Sequence, residues 1–338
     1  MDKQLEVMEK RVGGVAREAN LIGSYENVGD MEVVVKLLLY ESTMVPTIFY
    51  NMEAWTNMRV ADKQRLEVMQ GKLLKKILRL PKSTPYWGLL SELGIWPVEW
   101  KINYWKLMLL HNLLHSDDDR LAKLILIEQK RSAQPNCWYS EIKTVIETLQ
   151  IKQDPESTSK QEWKTATKGA IQEKVRAEAK EKITGMKKLR FVKNFGQKPY
   201  ITEMTAHETI ETLRLRLNMT MYIAGNIGKE ELCQVCKKEK QTTEHVFDCT
   251  GLQNCNNLTT DSLQSTETEV LRKTLKLFQG YEKKREEELL RAASELVESA
   301  AKKVGGRKRI VKGHKEGDDG EGLKIREGAV KELIKGMD

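Results

Sequence analysis

The clearest hydrophobic pattern in the chain is "ADKQRLEVMQGKLLKKILRL", residues 61–80. Leu66, Met69, Leu73, Ile77 and Leu80 recur there at the spacing of an α-helix. At about 100° per residue they fill one narrow stripe, with Leu74 at its margin. Arg65, Lys72, Lys75, Lys76 and Arg79 fall on the other side. The "LPKSTP" that follows predicts the helix end, because proline lacks the amide donor and restricts the residue before it. Upstream, residues 1–23 predict a helix interrupted by Gly13 and Gly14. Val33 to Tyr40 predict a buried helix that Pro46 stops or kinks. Downstream, Gly94 and Pro97 break the pattern, and Val98 to His115 predict another helix. Five of the seven tryptophans lie between Trp55 and Trp105, which places the densest core here. Residues 1–135 read as one compact helical domain.

The texture then changes. "WYSEIKTVIETLQI" predicts an amphipathic helix with Ile142, Val145, Ile146 and Leu149 on one face. "KQDPESTSKQ" reads as a polar linker, and the stretch to residue 200 is helix-forming and then basic. Residues 151–200 hold 13 Lys and Arg against 6 Asp and Glu. We group 136–200 as a helix with a basic linker and 201–256 as a cysteine-bearing segment entered by the helix "TIETLRLRLNM". Two C-terminal helices are expected within 257–304. One spans 266–279, with Thr266 and Glu269 as a candidate capping box. The other spans 281–303 and is stopped by Gly305 and Gly306. Residues 305–338, rich in glycine and charge, are expected to be disordered. The fold class is mainly α.

Charge sharpens this picture. Of 338 residues 31% are charged, and the net charge is +8. Such a balance favours an anionic partner, most often nucleic acid, and composition alone is equally compatible with a lysine-rich soluble surface. No stretch approaches the ~20 apolar residues needed to cross a bilayer. The polar N-terminus does not read as a signal peptide. These features point to the nucleus or cytoplasm, to no membrane partner and to reduced cysteines. The run "KKVGGRKRIVKGHK" is a candidate nuclear address.

The chemistry concentrates in "CQVCKKEKQTTEHVFDC", 233–249. Cys233, Cys236, His245 and Cys249 offer three thiols and an imidazole, a set that suits zinc. The C-x2-C pair places two sulfurs on one ion, and one helical turn points His245 and Cys249 the same way. Four protein ligands close the tetrahedron, whereas catalytic zinc keeps a water position, so a structural role is expected. Cys255 is an alternative ligand. The loop lysines Lys237, Lys238 and Lys240 could meet phosphates or simply face solvent. His111, His115 and His207 read as ordinary packing or surface residues, and Cys137 as a core residue. A zinc knot of this size has no hydrophobic core of its own.

Catalytic signatures are not found. "HSDDDR", 115–120, has adjacent carboxylates but follows a helical pattern, so it reads as a solvated turn. "DDGEGLK" lies in the charged tail. Neither the phosphate-cradling P-loop nor the nucleophile-elbow pattern occurs, and no small-molecule substrate is indicated.

Taken in order, "LLLYESTMVPTIFYNMEAW", "LEVMQGKLLKKILRLPKSTPYWGLLSELGIWPVEWKI", "WYSEIKTVIETL" and the Cys/Cys/His/Cys segment with Thr242 resemble the region after the catalytic core of non-LTR (LINE-type) retrotransposon reverse transcriptases. The resemblance covers roughly 25–256. It implies a helical thumb-like domain followed by a zinc-binding segment. It also implies contact with RNA, template-primer or target DNA. The palm with its paired aspartates and the upstream endonuclease have no counterpart here, so polymerase activity is not carried over. On this reading the chain is a C-terminal piece of such an element, non-catalytic on its own. The basic face of 61–80 would track a duplex backbone. Lys187, Lys188, Arg190 and Lys193, interleaved with Phe191 and Phe195, would suit a single strand, unless those rings are core. The alternatives are a protein-interaction module that pairs with a separate polymerase core, and a remnant without function.

Overall fold

Helices with apolar stripes must bury them against one another, and the chain does so in two compact units. The computed structural model describes residues 31–132, 134–219, 232–252 and 258–305, with a few positions before residue 15. The chain is mainly α, 68% helix with almost no strand. Most of the expected helix over 1–23, Cys255, "DDGEGLK" and the tail from 306 with most of its candidate nuclear address lie outside the described residues. Among the described residues no helix is long and apolar enough to cross a membrane. One unit comprises Met1–Met219 with Leu263–Leu271, the other Thr220–Ser262 with Arg272–Asp338.

The first unit is built from α1 (Val33–Leu39), α2 (Val45–Ile48), α3 (Val60–Ile77), α4 (Tyr86–Leu93), α5 (Val98–Leu114), α6 (Leu121–Ser132), α7 (Trp138–Thr148), α8 (Lys160–Thr184), α9 (Tyr200–Glu203) and α10 (Ala206–Arg216). The hub is α5, which packs against α3, α6, α7 and α8. Pro46 does not stop the first run. A π turn over Tyr40–Met44 lets the Val45 amide reach back to the Tyr40 carbonyl, and the chain stays helical to Ile48.

The core extends well past residue 135. In α8, Trp163, Thr167, Ile171, Val175, Ala179 and Ile183 are buried at strict four-residue spacing, a stripe that slants along the i+4 ridge of the helix. The Ser159–Glu162 capping box starts this helix inside the expected linker. The rest of that linker is a tight turn in which Asp154 accepts from the amides of Glu156 and Ser157. Trp163 is fully buried, and its indole donates to the Leu107 carbonyl of α5. The tryptophans between Trp55 and Trp105 are less deeply placed: of them only Trp100 is buried. Their indoles are amphipathic and sit at the rim of the core rather than at its centre.

Four helices end in the same way. Leu78-Arg79-Leu80, Leu93-Gly94-Ile95, Leu149-Gln150-Ile151 and Leu217-Asn218-Met219 each place the middle residue in the left-handed region. The amide of each third residue returns to a carbonyl of the last turn, as Leu80 N to Lys75 O at 2.8 Å and Met219 N to Arg214 O at 2.7 Å. This is the Schellman arrangement, which satisfies orphan carbonyls and turns an apolar residue back onto the helix. So α3 stops at Ile77, before Pro81, and Arg79 lies beyond the helix. At Gly94 an added Cβ would lie 2.3 Å from the Gln197 amide nitrogen, so side chains are excluded twice over.

Two buried polar hubs fix the packing. The Gln70 amide nitrogen donates to Tyr40 Oη and the Trp96 carbonyl, while its oxygen accepts from Tyr86 Oη and the Val98 amide. The second hub is an ion pair. Glu92, whose side chain is 0% exposed, accepts from Arg216 Nε at 2.7 Å and Nη2 at 3.0 Å, and from Tyr200 Oη at 2.7 Å. Arg216 Nη1 donates to the Leu263 and Ser265 carbonyls. Breaking such a pair leaves an uncompensated buried charge. Glu92→Ala is expected to lower unfolding free energy by about 3–5 kcal/mol in a urea titration. Gly94→Ala is expected to cost about 2 kcal/mol in the same assay, from the left-handed backbone and the contact with Gln197.

The second unit contains α11 (His245–Asp248) and most of α12 (Thr268–Gly305). Here α12 replaces the two expected helices. Gly280 sits within it, since one helical glycine costs only ~1 kcal/mol, and Tyr281 beside it is buried. The helix begins at Thr268, so Thr266 lies outside it and the expected Thr266–Glu269 capping box does not apply.

Candidate metal centre

The cysteine segment folds by local backbone chemistry. Leu232 and Lys240 form an isolated antiparallel bridge, and the Cys233 amide donates to the Glu239 carbonyl at 2.7 Å. These close the loop on itself. Within it the Cys236 amide points at the Cys233 sulfur, at 3.5 Å, and the Lys237 amide returns to the Cys233 carbonyl at 2.7 Å. Lys237 occupies the left-handed region, with φ 56°. The knuckle therefore turns both sulfurs inward. Thr242 Oγ1 accepts from the His245 amide at 3.1 Å and starts the short α11. That helix presents His245 from its first turn, and Cys249 follows as its C-cap.

The four donor atoms of Cys233, Cys236, His245 and Cys249 lie within 4.8 Å of one another and could hold a metal ion. Cys233 and Cys249 sulfurs are 3.8 Å apart, and Cys236 Sγ is 3.2 Å from His245 Nε2. The thiols are free. Burial pushes the Cys233 thiol up, but the Tyr281 hydroxyl and the amides of Cys236 and Val235 outweigh it and hold the group down at about 6. Burial and the adjacent Cys233 charge push Cys249 up to about 12. Burial lowers His245, and hydrogen bonds with Cys233 and Glu239 more than reverse it.

Two residues of the site were not legible as such in the sequence. Tyr281 of α12 places its hydroxyl 3.1 Å from Cys233 Sγ. Glu239 Oε2 lies 3.0 Å from His245 Nδ1, which orients the ring and leaves Nε2 for the ion. The acidic loop position was visible as a carboxylate near a histidine, whereas nothing local announces Tyr281. The helix also gives the segment a core: Phe247 meets Phe278 edge to face at 5.4 Å, and Leu275 and Tyr281 are buried. The knot therefore has apolar support that its own length does not supply.

The basic residues expected to contact nucleic acid are distributed over both units. Lys72, Lys76, Arg79, Lys187, Lys188, Arg190, Lys193, Lys237, Lys238 and Lys240 are exposed, while Arg65 and Lys75 are half-buried. Lys75 Nζ donates to the Lys82 carbonyl, and Lys237 Nζ pairs with Glu288 at 3.4 Å. Phe191 and Phe195 are buried. Their rings are core and are not available for base stacking, so the single-strand reading of 187–195 fails on its aromatic half. Cys137 is not a core residue: it is half-buried and caps α7, accepting from the Ser140 amide at 3.4 Å. Asp117, Asp118 and Asp119 lie exposed between α5 and α6, with Asp118 paired to Lys123 at 2.7 Å. His111 is buried, bonded to the Thr158 carbonyl and stacked on His115.

No family model, curated protein or solved structure matches the chain. The geometry of the centre thus stands by itself. Metal analysis of the purified chain is expected to find about one divalent ion per chain, and His245→Ala or Cys236→Ala to remove most of it. Cys137→Ser should leave the content unchanged. Tyr281→Phe should weaken metal affinity about tenfold in a competition titration.

Proposed function

We propose that this protein is a non-catalytic nucleic-acid-binding protein whose Cys/His segment is a structural zinc site. Its exposed lysines support the reading most. Lys72, Lys76, Lys187, Lys188, Lys193 and Lys238 meet no carboxylate among the described residues. Some other bases of the first unit do meet carboxylates: Lys63 pairs with Glu99, Lys101 with Glu41, Lys106 with Glu141, and Arg216 with Glu92. Unpaired cations repel one another and stabilise nothing in the fold, so they suit an external polyanion. Contacts of this kind are to the phosphate backbone and carry little sequence information.

Zinc is favoured among metals by the donor set and by its spacing. A tetrahedron with zinc–sulfur bonds of about 2.3 Å has sulfur–sulfur edges of about 3.8 Å, and Cys233 and Cys249 stand 3.8 Å apart. Four protein donors leave no position for a reactive water, which supports a structural role. Zinc would hold the knuckle and neutralise the Cys233 thiolate beneath Lys237 and Lys238. The order of segments supports an origin in the thumb and zinc-binding part of a non-LTR reverse transcriptase, with RNA or DNA as the partner in nucleus or cytoplasm.

A second reading is a protein-interaction module. It draws on α6, where Leu121, Leu124, Ile125 and Ile127 are exposed and would suit a partner helix such as one from a polymerase core. Binding measurements separate the two. Affinity for RNA or DNA is expected to fall linearly with salt on a log–log plot. The double variant Lys72→Ala/Lys76→Ala should flatten that slope by about 1.5–2. Affinity that does not respond to salt would sink the nucleic-acid reading.

A further inference from the structure

Beside α3 the first unit carries a cleft of about 820 Å³. Val68, Gly71, Leu73, Leu80 and Tyr86 give its lining an apolar surface, and four lysines, Lys72, Lys75, Lys76 and Lys82, outnumber the one carboxylate there, Glu67. Val68, Lys72 and Lys76 stand four apart, one above the next along the helix. Val68 is 53% exposed, so the row begins with an apolar side chain open to solvent and continues as two cations. Gly71 lets Tyr86 approach the helix: a Cβ there would lie 3.2 Å from the ring. The Tyr86 hydroxyl donates to Gln70 at 2.5 Å, which fixes the ring where it lines the cleft.

An apolar lining set among cations does not match a duplex. Duplex nucleic acid offers phosphates, sugars and groove edges, while its base faces are stacked inside. A single strand offers phosphate charge and unstacked base faces together. The lysines outnumber Glu67 in the lining, and a lysine ammonium meets a phosphate as a point charge. We propose that the α3 cleft binds single-stranded nucleic acid, with bases against Val68 and Tyr86 and phosphates at Lys72, Lys76 and Lys82. This rests on the nucleic-acid reading and reverses the expected division of labour. The face of α3, expected to track a duplex, takes the single strand, and the basic cluster at 187–193, with its rings buried, offers charge alone.

The test uses the full chain with its metal bound and a labelled strand of about 20 nucleotides, alone and annealed to its complement. The single strand is expected to bind at least about tenfold more tightly than the duplex. Val68→Gln, at an exposed position and without a change of charge, should cut that preference to about threefold or less while duplex affinity stays constant. Lys72→Ala should weaken both forms. Equal, salt-sensitive affinity for both forms would overturn the cleft assignment and leave the nucleic-acid reading standing. So would a preference that survives Val68→Gln, or tighter binding of an acidic amphipathic peptide than of the strand. Binding of neither nucleic acid would overturn both.

Discussion

The helical unit depends on one buried ion pair. Glu92 and Arg216 lie 124 positions apart in sequence, and each would be costly to bury alone. Together with Tyr200 and the carbonyls of Leu263 and Ser265 they satisfy one another's hydrogen-bonding capacity. The geometry tolerates no slack, because a bidentate pair stays favourable only while both ends are held. This single cluster fixes the end of α4, the start of α9, the end of α10 and the stretch near residue 263. Apolar packing brings the helices together, but it is non-directional and permits neighbouring registers. The polar cluster selects among them.

The second unit is organised by its Cys/His centre in a similar way. Four donors converge from a loop and a single helical turn, and Tyr281 ties them to α12 through Cys233. The apolar contacts of Phe247 with Phe278 surround that link. A segment of this size has little core of its own, so α12 lends it apolar surface, and an ion held by the four donors would join the loop to α11. Lys237 and Lys238 then project from a knuckle whose backbone is already set.

Much of this was legible in the chain. The stripe of α3, the helices α5 and α7, and the four-donor spacing are all present in the structure, because each is set by residues within a few turns of one another. The Schellman ends were not legible, because Arg79 and Gln150 are residue types that do not signal a left-handed backbone. Other features were misread for definable reasons. Gly280 reads as a break between two helices, but burial of Tyr281, Phe278 and Leu275 outweighs a local cost of ~1 kcal/mol. The polar stretch 152–161 reads as a linker, but side-chain caps from Asp154 and Ser159 build a turn there and start α8.

By itself, the sequence determined the helical periods and the set of candidate metal donors, since these follow from backbone geometry and short-range spacing. Only the tertiary structure decided which side chains are available to a partner. Phe191 and Phe195 look like stacking platforms in the chain and are core in the fold, while Val68 looks like one more helix residue and lies open beside lysines. It also decided that Glu92 meets Arg216 and that Tyr281 meets Cys233. Burial and long-range pairing are properties of which helix faces meet, and a local pattern carries a face without its partner.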